Sequence, residues 1–211
     1  MYPVGTYDRF IQKIKGREGK SKPRYLGVLF CDIEQQGAKE YIINYMEVFN
    51  KSSGEYFDFY IPGYLNSTKK GGNNIFQFGN KEYEFNRKVY NEFCEKFIED
   101  FKIEFPYVAT LVLLEYKSGN FKNAKRVKFN LENIKGGVKN SGFFFDLIFK
   151  LSKDNEELQC ILDNLFEQFE EKTQIGFAFI NQITSFFSID LKDLKEAFTT
   201  KRDKKKQYTL K

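Results

Sequence analysis

The chain has no histidine and no tryptophan, and only three cysteines, among its 211 residues. Without histidine there is no Ser-His-Asp or Cys-His catalysis and no imidazole ligation of a metal. Acid–base chemistry falls to Asp, Glu, Lys, Tyr or Cys. A carboxylate-held Mg²⁺ remains open, because hard cations need only oxygen ligands. Cys31, Cys94 and Cys160 lie far apart in apolar stretches, with no C-x-x-C pair. They read as reduced core thiols. No stretch approaches the roughly 18 uninterrupted apolar residues of a membrane span. The start, Met-Tyr-Pro-Val-Gly, lacks the basic and apolar regions of a secretory signal. A cytoplasmic chain with no membrane attachment is expected. Phosphate-binding glycine motifs are missing too. Lys70-Gly71-Gly72 and Gly136-Gly137 fit neither G-x-x-x-x-G-K-[ST] nor G-x-G-x-x-G.

What is present is a rich apolar complement, 41% of residues, of which Phe and Tyr form a large part. Phe, Tyr, Lys, Asn and Ile are also the residues of A/T-rich codons, so basic–aromatic content alone does not point to nucleic acid. The net charge of +5 is modest for a nucleic-acid binder. The length suits one domain with an extension.

Two apolar runs each end in a carboxylate. They are Tyr25-Leu-Gly-Val-Leu-Phe-Cys-Asp32 and Tyr107-Val-Ala-Thr-Leu-Val-Leu-Leu-Glu115. Unbroken apolar runs predict strands buried on both faces. Between them, Gly37 to Phe49 carries Tyr41, Ile42, Tyr45, Met46 and Phe49 at helical spacing. Tyr56 to Ile61 follows as a strand, stopped by Pro62-Gly63. Strand, helix, strand predicts a parallel βαβ unit. Ile75–Phe78 and Lys81–Phe85 flank Gly79-Asn80, a hairpin signal. Asn86 can cap a helix whose Val89, Tyr90, Phe93, Cys94, Phe97, Ile98 and Phe101 form one stripe. Ala124 to Leu131 alternates, as a strand near a sheet edge would.

The glycine-rich segment 136–142 marks a boundary, and the pattern beyond it is helical. Four regions are expected: a basic lead-in at 1–23, an α/β domain at 24–135, a helical extension at 136–200 and a basic tail at 201–211. Phe10, Ile11 and Ile14 can form a short amphipathic turn in a lead-in otherwise read as solvated. The expected fold is α/β: a small, mainly parallel, three-layer, Rossmann-like sheet with a hairpin insertion and a C-terminal helical layer.

In open α/β sheets ligands bind outside the carboxyl ends of the strands. If the strands are parallel, Asp32, Glu34, Asp58 and Glu115 converge there. Such carboxylates bind sugar hydroxyls, and Asp32 with Glu115 can hold a divalent ion such as Mg²⁺. Charge is also segregated. Residues 117–139 hold seven Lys/Arg against Glu132 alone, and 154–171 hold seven Asp/Glu with no Lys/Arg. Lys125 and Arg126 are candidate phosphate contacts, and the acidic helix is a candidate surface for a protein partner.

Glu115-Tyr116-Lys117 resembles part of the PD-(D/E)xK nuclease motif. That resemblance implies a metal-binding Glu115 and a Lys117 that positions or activates the attacking water. Asp58-Phe-Tyr-Ile-Pro62-Gly63, with Phe93-Cys94-Glu95 and Leu111 to Glu115, resembles segments of TIR domains, with one extra residue before the proline. It implies a nucleotide glycohydrolase using Glu95. Three functions are therefore expected. The first is a nucleotide- or phosphate-ligand domain acting as a sensor or accessory subunit. The others are a metal-dependent nuclease or phosphodiesterase, and a protein-interaction module.

Overall fold

The computed structural model describes residues 2–15, 24–34, 38, 57–67, 75–103, 109–116, 126–131, 138–154, 160, 161 and 164. Among these residues it is a mixed α/β fold with a mostly parallel five-stranded sheet plus helices. The strands are β1 (Tyr2–Val4), β2 (Arg24–Phe30), β3 (Phe57–Pro62), β7 (Thr110–Tyr116) and β8 (Arg126–Asn130). Their order is β1-β3-β2-β7-β8. Both β1 and β2 pair with β3 in parallel, whereas β7 is antiparallel to β2 and to β8. A three-stranded antiparallel sheet, β4-β6-β5, lies between β3 and the following helix in sequence. It comprises β4 (Tyr64–Asn66), β5 (Ile75–Phe78) and β6 (Lys81–Phe85).

The helices are α1 (Tyr7–Lys15), α2 (Arg87–Phe101) and α3 (Val138–Asp154). Asn86 caps α2: its side chain accepts a 3.0 Å hydrogen bond from the Val89 amide. Such a cap satisfies one orphan amide of the first turn. Lys102 ends the helix in the left-handed conformation at φ 51°, with its amide bonded to the Ile98 carbonyl.

The two faces of the large sheet bury different sets of side chains. Leu26, Val28 and Phe30 meet Phe10 and Ile14 of α1 and Phe93, Phe97 and Phe101 of α2. Phe97 lies 5.1 Å from Phe30 and 4.3 Å from Phe101, centroid to centroid. On the other face, Phe57 and Phe59 meet Phe149 and Phe145 of α3. Gly27 makes room for this: a Cβ there would stand 2.6 Å from the Phe57 ring and 3.0 Å from Phe59.

Two expectations change. Residues 2–15 are not a solvated lead-in. Tyr2–Val4 pairs with β3, and Tyr7, Phe10 and Ile14 of α1 are buried. A three-residue strand is too short to show an alternation, and the α1 stripe spans just two turns. The second change concerns β7, which runs against β2, not with it. A run buried on both faces carries no mark of its direction. The predicted helix at 37–49 apart from Ala38, the acidic segment 154–171 apart from four of its residues, and the basic tail lie outside the described residues.

Candidate functional site

The antiparallel register separates the sequence candidates. Tyr25 is opposite both Phe57 and Glu115, so Glu115 and Asp58 stand by the start of β2. Asp32 lies past the other end of β2, about 20 Å away at the rise of a strand. Asp32 and Glu115 therefore cannot share a metal ion, and the four carboxylates do not converge. Among the described residues no group of three or more Cys, Asp or Glu side chains is placed to hold a metal.

Asp58 and Glu115 are not partners either. Glu115 is in register with Tyr25, whose ring packs in the cluster that includes α3. Asp58 is in register with Leu26, which packs toward α1 and α2. The two carboxylates occupy opposite faces, and both are buried. Arg126 begins β8 opposite Leu114, so it too stands at the end remote from Asp32. Lys117 and Lys125 lie outside the described residues. Lys128 is buried on the face toward α1 and α2, opposite Val112. Glu95 is exposed on α2.

Asp32 and Glu34 are brought together, by a residue the sequence reading passed over. Arg87, the first residue of α2, places Nη1 2.8 Å from Asp32 Oδ2. Its Nε donates to Glu34 Oε2 at 3.0 Å, and Nη2 pairs with the same oxygen. The Glu34 amide donates to Asp32 Oδ1 at 2.9 Å, closing a turn that fixes one carboxylate against the other. Asp32 is 4% exposed, whereas Glu34 is 42% and Arg87 51% exposed. The hydrogen bond to Glu34 and then the charge of Asp32 raise the pKa of the Arg87 guanidinium further.

The elements that aim these groups meet at one turn. Pro62-Gly63 leaves β3, and Gly63 adopts φ 86°. A Cβ there would meet the Tyr90 side chain at 2.7 Å, so glycine is required both by conformation and by space. The Gly63 amide donates to the Val4 carbonyl, and the Asn86 amide donates to the Gly63 carbonyl. The ends of β1, β3 and β6 and the start of α2 are thus tied together. Below them Phe85 packs on Tyr64 and Tyr90 at 5.2 and 5.3 Å. The Arg87 guanidinium lies 5.9 Å from the Phe85 ring centroid, within cation–π range.

Under Asp32 lies a layer of weak acids. Tyr64 donates to the Cys31 carbonyl at 2.9 Å, and the Cys31 thiol donates to the Ala38 carbonyl at 3.0 Å. Burial, reinforced by the neighbouring Cys31 and Asp32, raises the pKa of Tyr64 well above the ordinary phenol range. Burial does the same for Tyr90, with Cys94, Cys31 and Asp32 nearby. Burial pushes the Cys94 thiol up to about 12. None of the three is a nucleophile in this state, since only the thiolate or phenolate reacts readily.

The basic residue at the start of α2 was the signal available in the sequence. Its first turn holds Arg87 and Lys88 and no acidic residue. That placement opposes the helix dipole.

Chemically, this end of the sheet offers two carboxylates that accept hydrogen bonds and one guanidinium that binds oxyanions in a fork. Among the described residues no helix is long and apolar enough to cross a membrane. No family model, curated protein or solved structure matches this chain.

Proposed function

We propose that this chain is a binding domain for a nucleotide or another phosphorylated ligand, taken at the carboxyl ends of β2 and β3. Arg87 receives the phosphate, and Asp32 and Glu34 accept hydrogen bonds from ligand hydroxyls. The supporting observation is the Asp32–Arg87–Glu34 cluster: a buried carboxylate past the end of β2, joined to a half-exposed guanidinium. The parallel trio β1-β3-β2 supports the location, because strands running one way bring their carboxyl ends to one edge. Within this reading the sheet is the middle of three layers, the small sheet is an insertion, and the chain is a cytoplasmic sensor or accessory subunit with a protein partner.

The cluster as it stands carries two negative charges and one positive. A bare phosphate meets a net negative field, so it competes for Arg87 only at millimolar concentration and binds less tightly than a ligand that also offers hydroxyls. A ligand with both phosphate and hydroxyls satisfies both kinds of group. The test is thermal stabilisation by ribonucleoside mono-, di- and triphosphates, since a ligand that binds only the folded state raises its apparent stability. At 100 times its Kd a ligand adds about 2.7 kcal/mol. The expected result is a rise in Tm with at least one nucleotide, lost in Arg87→Gln. No rise at millimolar concentration with any of them, or an equal rise in Arg87→Gln, overturns the proposal.

A further inference from the structure

Arg87 does more than present a positive charge. It joins two parts of the chain that are far apart in sequence: the exit of β2 at residues 31–34 and the junction of β6 with α2. The second part is firmly seated. The Gly63 and Asn86 amide bonds hold it, and so does the Tyr64–Phe85–Tyr90 packing. The exit of β2 has left the ladder, which ends at Phe30. Among the contacts that hold it are Tyr64 on the Cys31 carbonyl, Arg87 on Asp32 and Glu34, and the burial of Cys31 and Ile33 in the core. Of these, the Tyr64 contact is buried, while the guanidinium is half exposed and within reach of solvent ions. Cys31 itself is fully buried.

We infer that Arg87 is a latch that keeps the exit of β2 shut over Cys31 and the inner face of Asp32, and that an oxyanion able to compete for its guanidinium opens it. The latch itself does not depend on the ligand named above; the trigger rests on that reading. The mechanism is electrostatic exchange. A phosphate oxygen replaces the carboxylates on the guanidinium fork, and Asp32 and Glu34 are released toward solvent or ligand hydroxyls. The aromatic platform stays in place, because its contacts are apolar and unaffected by the exchange.

Cys31 provides the readout, one residue before Asp32. Its alkylation by iodoacetamide, followed by mass spectrometry of the peptide, reports opening of the exit. Cys160 is exposed and serves as the fast internal reference. In Arg87→Gln, labelling of Cys31 should accelerate about three- to tenfold, with a loss of global stability no larger than that factor, about 0.7–1.4 kcal/mol, because the contact is made only in the closed state. Lys96→Gln removes a different exposed ion pair of α2, with Asp8, and should leave Cys31 labelling unchanged. In the wild type, millimolar pyrophosphate should accelerate Cys31 labelling beyond sodium chloride of equal ionic strength, and should do nothing in Arg87→Gln.

Unchanged Cys31 labelling in Arg87→Gln overturns the latch. So does labelling whose rate rises with low concentrations of urea as steeply as global unfolding does, which marks unfolding in place of local opening. Acceleration in Arg87→Gln with no pyrophosphate effect upholds the latch and overturns the oxyanion trigger.

Discussion

The two ends of β2 both carry buried carboxylates, yet they are built differently. At the carboxyl end, Asp32 shares a half-exposed arginine with Glu34, beside the turn where three strands end. At the amino end, Glu115 and Asp58 are buried on opposite faces of the sheet. The first arrangement leaves its counter-charge within reach of solvent. The second is enclosed by core on both sides. A carboxylate at the end of an apolar run is thus not a site in itself; strand direction and a reachable counter-charge decide which ends are candidates.

The largest expected effect separates the weak acids under the carboxyl end from the rest of the fold. Cys94 is held protonated to about 12 by burial, so its unfolded form loses the proton first. A group whose folded pKa is raised contributes stability that is complete below its unfolded pKa and is lost as pH rises toward the folded value. Stability should begin to fall above about pH 9 through Cys94, whose ordinary pKa is near that value. It should fall more steeply above pH 10, where Tyr64 and Tyr90 join, along with Tyr7 of α1, also raised by burial. The sum is at most about 7 kcal/mol by pH 11, two pH units for Cys94 and one for each of the three tyrosines at about 1.4 kcal/mol per group and unit. Denaturant midpoints between pH 7 and pH 11 check this.

Next in size is the middle of the sheet, which serves neither end. Phe97→Ala removes a ring packed on Phe30 and Phe101 and should cost about 3–5 kcal/mol. An unchanged denaturant midpoint would show that α2 packs some other way.

A smaller effect compares the ends directly. Asp32→Asn weakens a charge-assisted contact of a buried carboxylate and should cost about 1.5–3 kcal/mol, measured by denaturant unfolding. Arg87→Gln removes the same contact but leaves Asp32 its hydrogen bond from the Glu34 amide, and should cost about 1 kcal/mol. If both variants were neutral, the carboxyl end would be no better built than an ordinary surface ion pair.

Much of the fold was legible because it rests on local signals. The apolar run before Asp32, the Asn86 cap, the Phe93–Phe97–Phe101 stripe and the Gly79-Asn80 turn are each written within a few residues. The direction of β7 was not, since Thr110 to Leu114 looks the same whichever way it pairs. That one ambiguity carried Glu115 and Arg126 to the end of the sheet opposite Asp32, whereas Asp58 lies there because it is the second residue of β3, at that strand's amino end. Asp32 and Glu34 were legible as strand-end carboxylates. Arg87 was not, because it is 53 positions from Glu34 and its partners are set by tertiary folding. Its unfavourable place at a helix start was the single local hint.

The claim that the carboxyl end of β2 binds and the amino end is structural is tested most directly by calorimetric titration. A ribonucleotide that stabilises the wild type is titrated into Arg87→Gln and into Glu115→Gln, both confirmed folded by circular dichroism. The account predicts that Arg87→Gln loses binding by tenfold or more, about 1.4 kcal/mol or above, while Glu115→Gln keeps the wild-type Kd. Binding abolished in Glu115→Gln and intact in Arg87→Gln would contradict it and move the site to the other end of the sheet.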